Sequence, residues 1–125
     1  MLAKQHRLAS GRDFRAVFTG GTTYTHRLLV LKVLPRRDDR PSRFGFSASA
    51  KLGAVAKNRA KRVLREAVRL LCGRLQQSGY DAVLIARPPM VKTGLAEVMR
   101  VVEGLFRKAG RLGVGERAEG NRPGG

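Results

Sequence analysis

Apolar and polar positions follow readable rhythms over most of the chain. Ser10-Gly-Arg-Asp13 has the form of a helix start, with Ser10 as N-cap, and Phe14, Val17 and Phe18 follow at helical spacing until Gly20-Gly21. Leu28 to Leu34 is an apolar run closed by Pro35 and predicts a strand. A charged loop, Pro35 to Ser42, leads to Arg43-Phe-Gly-Phe-Ser-Ala-Ser49, whose period of two predicts a second strand. These two strands are expected to pair as an antiparallel hairpin. Lys51 to Lys57 is a connector, and a long helix is predicted from there to about Gln76. Tyr80 to Ala86 is apolar almost throughout, which predicts a strand covered on both faces, and Arg87-Pro88-Pro89 stops it. Leu95, Val98, Met99, Val102, Leu105, Phe106 and Ala109 mark an amphipathic last helix. From Gly110 the periodicity ceases. The expected organisation is a basic arm over residues 1–9, one domain over 10–109, and a disordered tail over 110–125.

On a helical wheel, Ala60, Val63, Leu64, Ala67, Val68, Leu71 and Leu75 fall on one side of the long helix. Asn58, Arg62, Arg65 and Arg69 fall opposite, within a band of about 60°. Lys57, Lys61 and Arg59 flank that band, and the stretch contains one acid, Glu66. A solvated structural helix interleaves Glu with Lys or Arg, because each i, i+4 pair adds a little stability. Here arginines neighbour arginines, and phosphates seated between them relieve the repulsion. The guanidinium fork also matches phosphate geometry with two parallel hydrogen bonds. Asn58 suits a base edge or a sugar hydroxyl, and suits equally the N-cap of the helix.

Composition agrees with that reading. Lys and Arg number 26 against nine acids, a formal net charge of +17 on 125 residues. Such self-repulsion opposes compaction, and a polyanionic partner is the usual reason for it. No apolar run approaches the roughly 18 residues of a membrane span, and the N-terminus lacks the apolar stretch of a signal peptide. The lone Cys72 closes no intrachain disulfide, so a reducing cytoplasm is the expected location. His6 and His26 have no companions at metal-ligand spacing, Asp38 and Asp39 read as turn residues, and Glu66 reads as a salt-bridge group. No protein catalytic residue and no protein metal site are expected.

The order Lys51-x-Gly53, Ala54-Val55, Lys57-Asn58-Arg59-x-Lys61-Arg62-x-x-Arg65-Glu66 resembles the signature of the bacterial ribonuclease P protein family. Lys57 stands where the family's hallmark has its first Arg. Arg12-Asp13-Phe14 with Val17-Phe18, Arg43-x-Gly45-x-Ser47-x-Ser49, and Tyr80-Asp81 through Ile85-Ala86-Arg87-Pro88 extend the likeness over most of residues 7–108. The resemblance implies an α+β fold: a two-layer α/β sandwich with a mixed sheet of about four strands, three helices and a left-handed βαβ crossover, ribosomal protein S5 domain 2-like. It implies an RNA-binding subunit that assists a catalytic RNA in removing the 5′ leader of precursor tRNA, one protein per catalytic RNA, with Mg2+ held mainly by the RNA.

By that resemblance Lys51, Lys57, Asn58, Arg59, Lys61, Arg62, Arg65 and Arg69 face the catalytic RNA. Phe14, Phe18, Lys32, Arg43, Ser47 and Ser49 are expected in a cleft for the leader. Phe14 and Phe18 fit either the core or stacking on bases; Phe44 and Phe46 fit the core, leaving Gly45, Ser47 and Ser49 as a small polar face. A ribosomal RNA-binding protein would share the charge and size, though not the ordered motifs.

Overall fold

The computed structural model describes residues 4–112. A short 3-10 turn at Lys4–His6 precedes α1 (Gly11–Gly20), β1 (Thr22–Thr25), β2 (Leu29–Pro35), β3 (Arg43–Ala48), α2 (Ala54–Leu71), β4 (Tyr80–Ala86) and α3 (Leu95–Lys108). The four strands form one mixed sheet in the order β1-β2-β4-β3. β4 runs antiparallel to β2 and parallel to β3, and α2 makes the crossover from β3 to β4.

The expected β2–β3 hairpin does not form, because β4 lies between the two strands. β4 is the most continuously apolar strand, and the central position is where both its faces are covered. The charged loop after β2 frames the entry to β4 instead of closing a hairpin. Arg36 N–H donates to the Gly79 carbonyl at 2.7 Å, Gly79 N–H to Arg40 at 3.1 Å, and Ser42 N–H to Gln77 at 2.9 Å. β1 carries little apolar pattern, although Thr22-Thr-Tyr-Thr25 is rich in β-branched and aromatic side chains that favour strands.

The main core lies between the sheet and the layer of α2 and α3. It takes Leu29, Leu31 and Val33 from β2, Phe44 from β3, and Tyr80, Ala82, Leu84 and Ala86 from β4. α2 buries Ala60, Leu64, Ala67, Val68 and Leu71 against them; Val63 stays half-buried. Each fully buried Leu contributes about 2 kcal/mol. The opposite sheet face meets α1 in a small cluster of Leu8, Val17 and Val83 with Phe14, Leu34 and Ile85 at its margin.

Helix ends follow local chemistry. The Ser10 hydroxyl accepts the N–H groups of Arg12 and Asp13 at 3.1 and 3.4 Å, which caps α1. α3 closes on Gly110 at φ +73°: Gly110 N–H donates to Arg107 and Arg111 N–H to Phe106, a Schellman arrangement. Arg111 then sits over the Tyr80 ring at 5.0 Å, so the chain is docked as far as Leu112. The tail expected from residue 110 otherwise lies outside the described residues. The basic arm docks along β3, with Leu8 N–H donating to Phe44 at 3.0 Å.

Candidate nucleic-acid interface

Two surfaces carry the residues singled out in the sequence, one on α2 and one on the sheet face beneath α1. α2 starts at Ala54, with Gly53 as its N-cap, earlier than the connector was expected to end. Asn58 therefore lies in the second turn and is not a cap. Asn58, Arg59, Arg62 and Arg65 are exposed, and Lys57 and Lys61 half-exposed, on the side of α2 away from the core. Lys51 is exposed in the turn just before the helix, where its N–H donates to the Ser49 hydroxyl at 3.1 Å.

Two of the arginines have intramolecular partners. Arg69 makes a forked pair with Glu66, at 3.0 and 2.5 Å, so its charge is answered within the helix. The hydrogen bond from Arg69 holds the Glu66 carboxyl below its ordinary range. The Arg65 guanidinium carbon lies over the Phe46 ring, 5.4 Å from its centroid. A cation–π contact of this kind steadies the guanidinium without using its N–H donors. Phe46 is accordingly half-buried, whereas Phe44 is fully in the core. Among the described residues no carboxylate pairs with Arg59, Arg62 or Arg65.

The second surface follows from strand register. Two rows cross the sheet on the α1 side: Thr23, Lys32, Val83 and Gly45, then Thr25, Val30, Ile85 and Ser47. α1 covers the first row at Val83 and Gly45, because a Cβ on Gly45 would stand 2.5 Å from Phe14 Cζ. Only glycine lets that ring settle on the strand. Phe14 is thus half-buried packing. Phe18, whose ring centroid lies 6.4 Å from that of Phe14, is 39% exposed. Val30, Ile85, Ser47 and Lys32 remain half-open beside it, and Lys32 Nζ donates to the Thr23 hydroxyl at 2.8 Å.

Arg43 and Ser49 are placed differently from the rest of that group. Arg43 donates to Asp13 at 3.0 Å and to both oxygens of Asp81, at 3.1 and 2.7 Å. Asp81 also pairs with Arg36, which bonds Asp38 at 3.1 Å. Hydrogen bonding to Asp81 keeps the Arg43 guanidinium above its ordinary value. Arg43 therefore ties the start of α1 to β3 and β4. Ser49 lies beyond β3 and receives the turn hydrogen bond from Lys51. The sequence signal for the Arg43 network was the Asp in each of two motifs, Asp13 and Asp81, but spacing alone did not pair them.

Among the described residues no three His, Cys, Asp or Glu side chains come together as a metal-ligand set, and no helix is long and apolar enough to cross a membrane. Cys72 is half-buried, and burial pushes its thiol up, away from the reactive thiolate.

Fold and surfaces together define a small basic α+β protein with a cationic helix face and a partly open sheet face. The sequence profile of the family described as Ribonuclease P matches residues 2–110. The ribonuclease P protein component of Symbiobacterium thermophilum is 45% identical over 112 residues, covering 89% of this chain and 96% of its own. The RNase P protein of Staphylococcus aureus superposes with a TM-score of 0.74 at 26% identity, covering 88% of this chain and 100% of its own. That of Thermotoga maritima gives 0.69 at 27% identity, over 81% and 96%. The chain belongs to the ribonuclease P protein family, whose members are protein components of a tRNA-processing ribonucleoprotein.

Proposed function

We propose that this chain binds the catalytic RNA of ribonuclease P through the outer face of α2 and receives the 5′ leader of precursor tRNA on the sheet face beside α1. The observation that carries this reading is the run of exposed cations on α2, Arg59, Arg62 and Arg65 with Lys57 and Lys61 beside them, in a helix whose one acid is engaged by Arg69. Hydrolysis and its magnesium ions belong to the RNA. The protein adds affinity for precursor over product, because only the precursor has a leader to lie along Phe18, Lys32 and Ser47. Its charge offsets phosphate repulsion between two RNAs, so its effect is greatest at low salt. One protein per catalytic RNA, acting in the cytoplasm, is the corresponding stoichiometry and place.

Reconstitution tests this. The chain added to the catalytic RNA accelerates precursor tRNA cleavage at low magnesium. Arg62→Ala with Arg65→Ala weakens assembly and lowers the slope of log K against log salt by about 1.5, since each phosphate contact contributes about 0.7–0.9. An unchanged slope would remove α2 as the docking face.

A further inference from the structure

We propose that the pocket between the β1–β2 turn and α3 is a second RNA site, which takes one unstacked nucleotide of the catalytic RNA. This rests on the reading that the chain docks on that RNA through α2. The pocket is a shallow, open depression of about 230 Å3 lined by His26, Arg100, Val101, Gly104, Leu105 and Lys108. Pockets for drug-sized ligands start at about 300 Å3, so this one suits a single planar group.

The lining has the chemistry of a base site. Val101, Gly104 and Leu105 give an apolar floor, and a Cβ built on Gly104 would meet nothing within 4 Å. His26 is held in place, because its Nδ1 accepts the Leu28 N–H at 3.0 Å. In the neutral ring the proton therefore sits on Nε2, a donor free to address a base edge. An imidazole plane also serves as a stacking wall for a splayed base. Lys108 stands on the rim with no carboxylate partner among the described residues, while Arg100 pairs with Glu97 on its own helix. A cavity of about 170 Å3 lined by Gln5, Arg36, Arg40, Pro41 and Arg43 makes the contrast. There Asp13, Asp38 and Asp81 answer the three arginines, and nothing remains for an anion.

Position selects the catalytic RNA over the leader. Val101 and Leu105 belong to the core layer of α2 and α3, across the sheet from the Phe18 surface. The two basic regions also connect around one end of the sheet. Ser49 N–H donates to Ala86, and Arg87 N–H to Leu28, each at 2.9 Å. Arg87 Nη1 donates to the His26 carbonyl at 3.1 Å. Lys51, Arg87 and Arg27, all exposed, lie along that end between the start of α2 and the pocket, with no carboxylate partner among the described residues. One RNA strand following the cations from α2 reaches the pocket.

Gly104→Leu fills the pocket from an open helical position and improves helix propensity, so the fold is retained. With full-length protein and the catalytic RNA alone, it weakens binding about tenfold, the scale of one stacked base. It also erases the protection of one nucleotide in a chemical footprint and leaves the preference for precursor over mature tRNA unchanged. If Gly104→Leu lowers the thermal midpoint, His26→Ala with Lys108→Ala reads the same outcome from the rim. Unchanged affinity and footprint overturn the site, as does loss of precursor preference with catalytic-RNA affinity intact. If Arg62→Ala with Arg65→Ala also binds like wild type, the docking reading fails. If that pair weakens binding and Gly104→Leu does not, the pocket alone fails.

Discussion

Arg62 on α2 and Arg43 on β3 are both arginines in motif positions, yet they have opposite surroundings. Arg62 projects into solvent with no carboxylate partner among the described residues. Arg43 is held by three contacts to Asp13 and Asp81 and bridges α1 to two strands. A cation in a sequence is therefore not yet a cation available to RNA. On α2 charge is left exposed at some expense of self-repulsion. Beneath α1 it is consumed in fixing the geometry of an open face.

Asp81→Ala should be the most damaging change on this comparison. Its side chain is 5% exposed and answers both Arg36 and Arg43. Removing it leaves two guanidinium groups without their shared partner. Breaking a fully buried pair costs about 3–5 kcal/mol; with Arg43 about a third exposed, about 2–3 kcal/mol is expected. Urea denaturation measures that loss, against less than about 0.5 kcal/mol for Arg62→Ala. Equal losses for the two would erase the distinction between the faces.

Gly45→Ala comes next. Its new Cβ would sit 2.5 and 2.8 Å from two Phe14 ring atoms and 3.1 Å from Leu8 Cδ2. Overpacking of this kind costs about 1–3 kcal/mol and lifts α1 from the sheet. Precursor binding should suffer while affinity for the catalytic RNA alone holds. Phe18→Ala probes the same face without touching the contact of Phe14 on Gly45. As a 39% exposed side chain it should change stability little and reduce precursor affinity about fivefold, the lower end of a stacking contact, with mature tRNA unaffected. Matching losses for precursor and mature tRNA would make Phe18 simple packing.

Much of this was legible in the sequence because period and burial coincide. α2 buries Ala60, Leu64, Ala67, Val68 and Leu71, five of the six expected stripe residues lying within it, and Leu75 is buried just beyond. The continuous run of β4 marked a strand covered on both faces, and Ser10 marked the start of α1. What failed was pairing between distant segments. A hairpin between β2 and β3 is the shortest connection, but the sheet gains more by placing β4 between them. Arg43 was expected in the leader cleft, and spacing did not link it to its two acids, which are 30 and 38 residues away in the chain. β1 was missed because three threonines and a tyrosine alternate too weakly to register as half-buried.

The smallest expected effect is also the most direct test of availability. Glu66→Gln removes the carboxylate that answers Arg69, and both side chains are about two-fifths exposed, so stability should not change measurably. Affinity for the catalytic RNA should nevertheless rise, because Arg69 joins the free cations of α2. The salt slope should steepen by about 0.7–0.9, one added phosphate contact. The pH dependence has a definite sign. The Glu66 carboxyl is held below its ordinary value by the Arg69 hydrogen bond, so the pair persists at neutral pH and is lost as pH falls through that lowered value. Wild type should then gain the free Arg69 that the variant has at every pH. The two binding curves should converge on the acid side and stand apart at neutrality. Identical curves throughout would mean that RNA reaches Arg69 despite Glu66, and that pairing on α2 does not govern which cations dock.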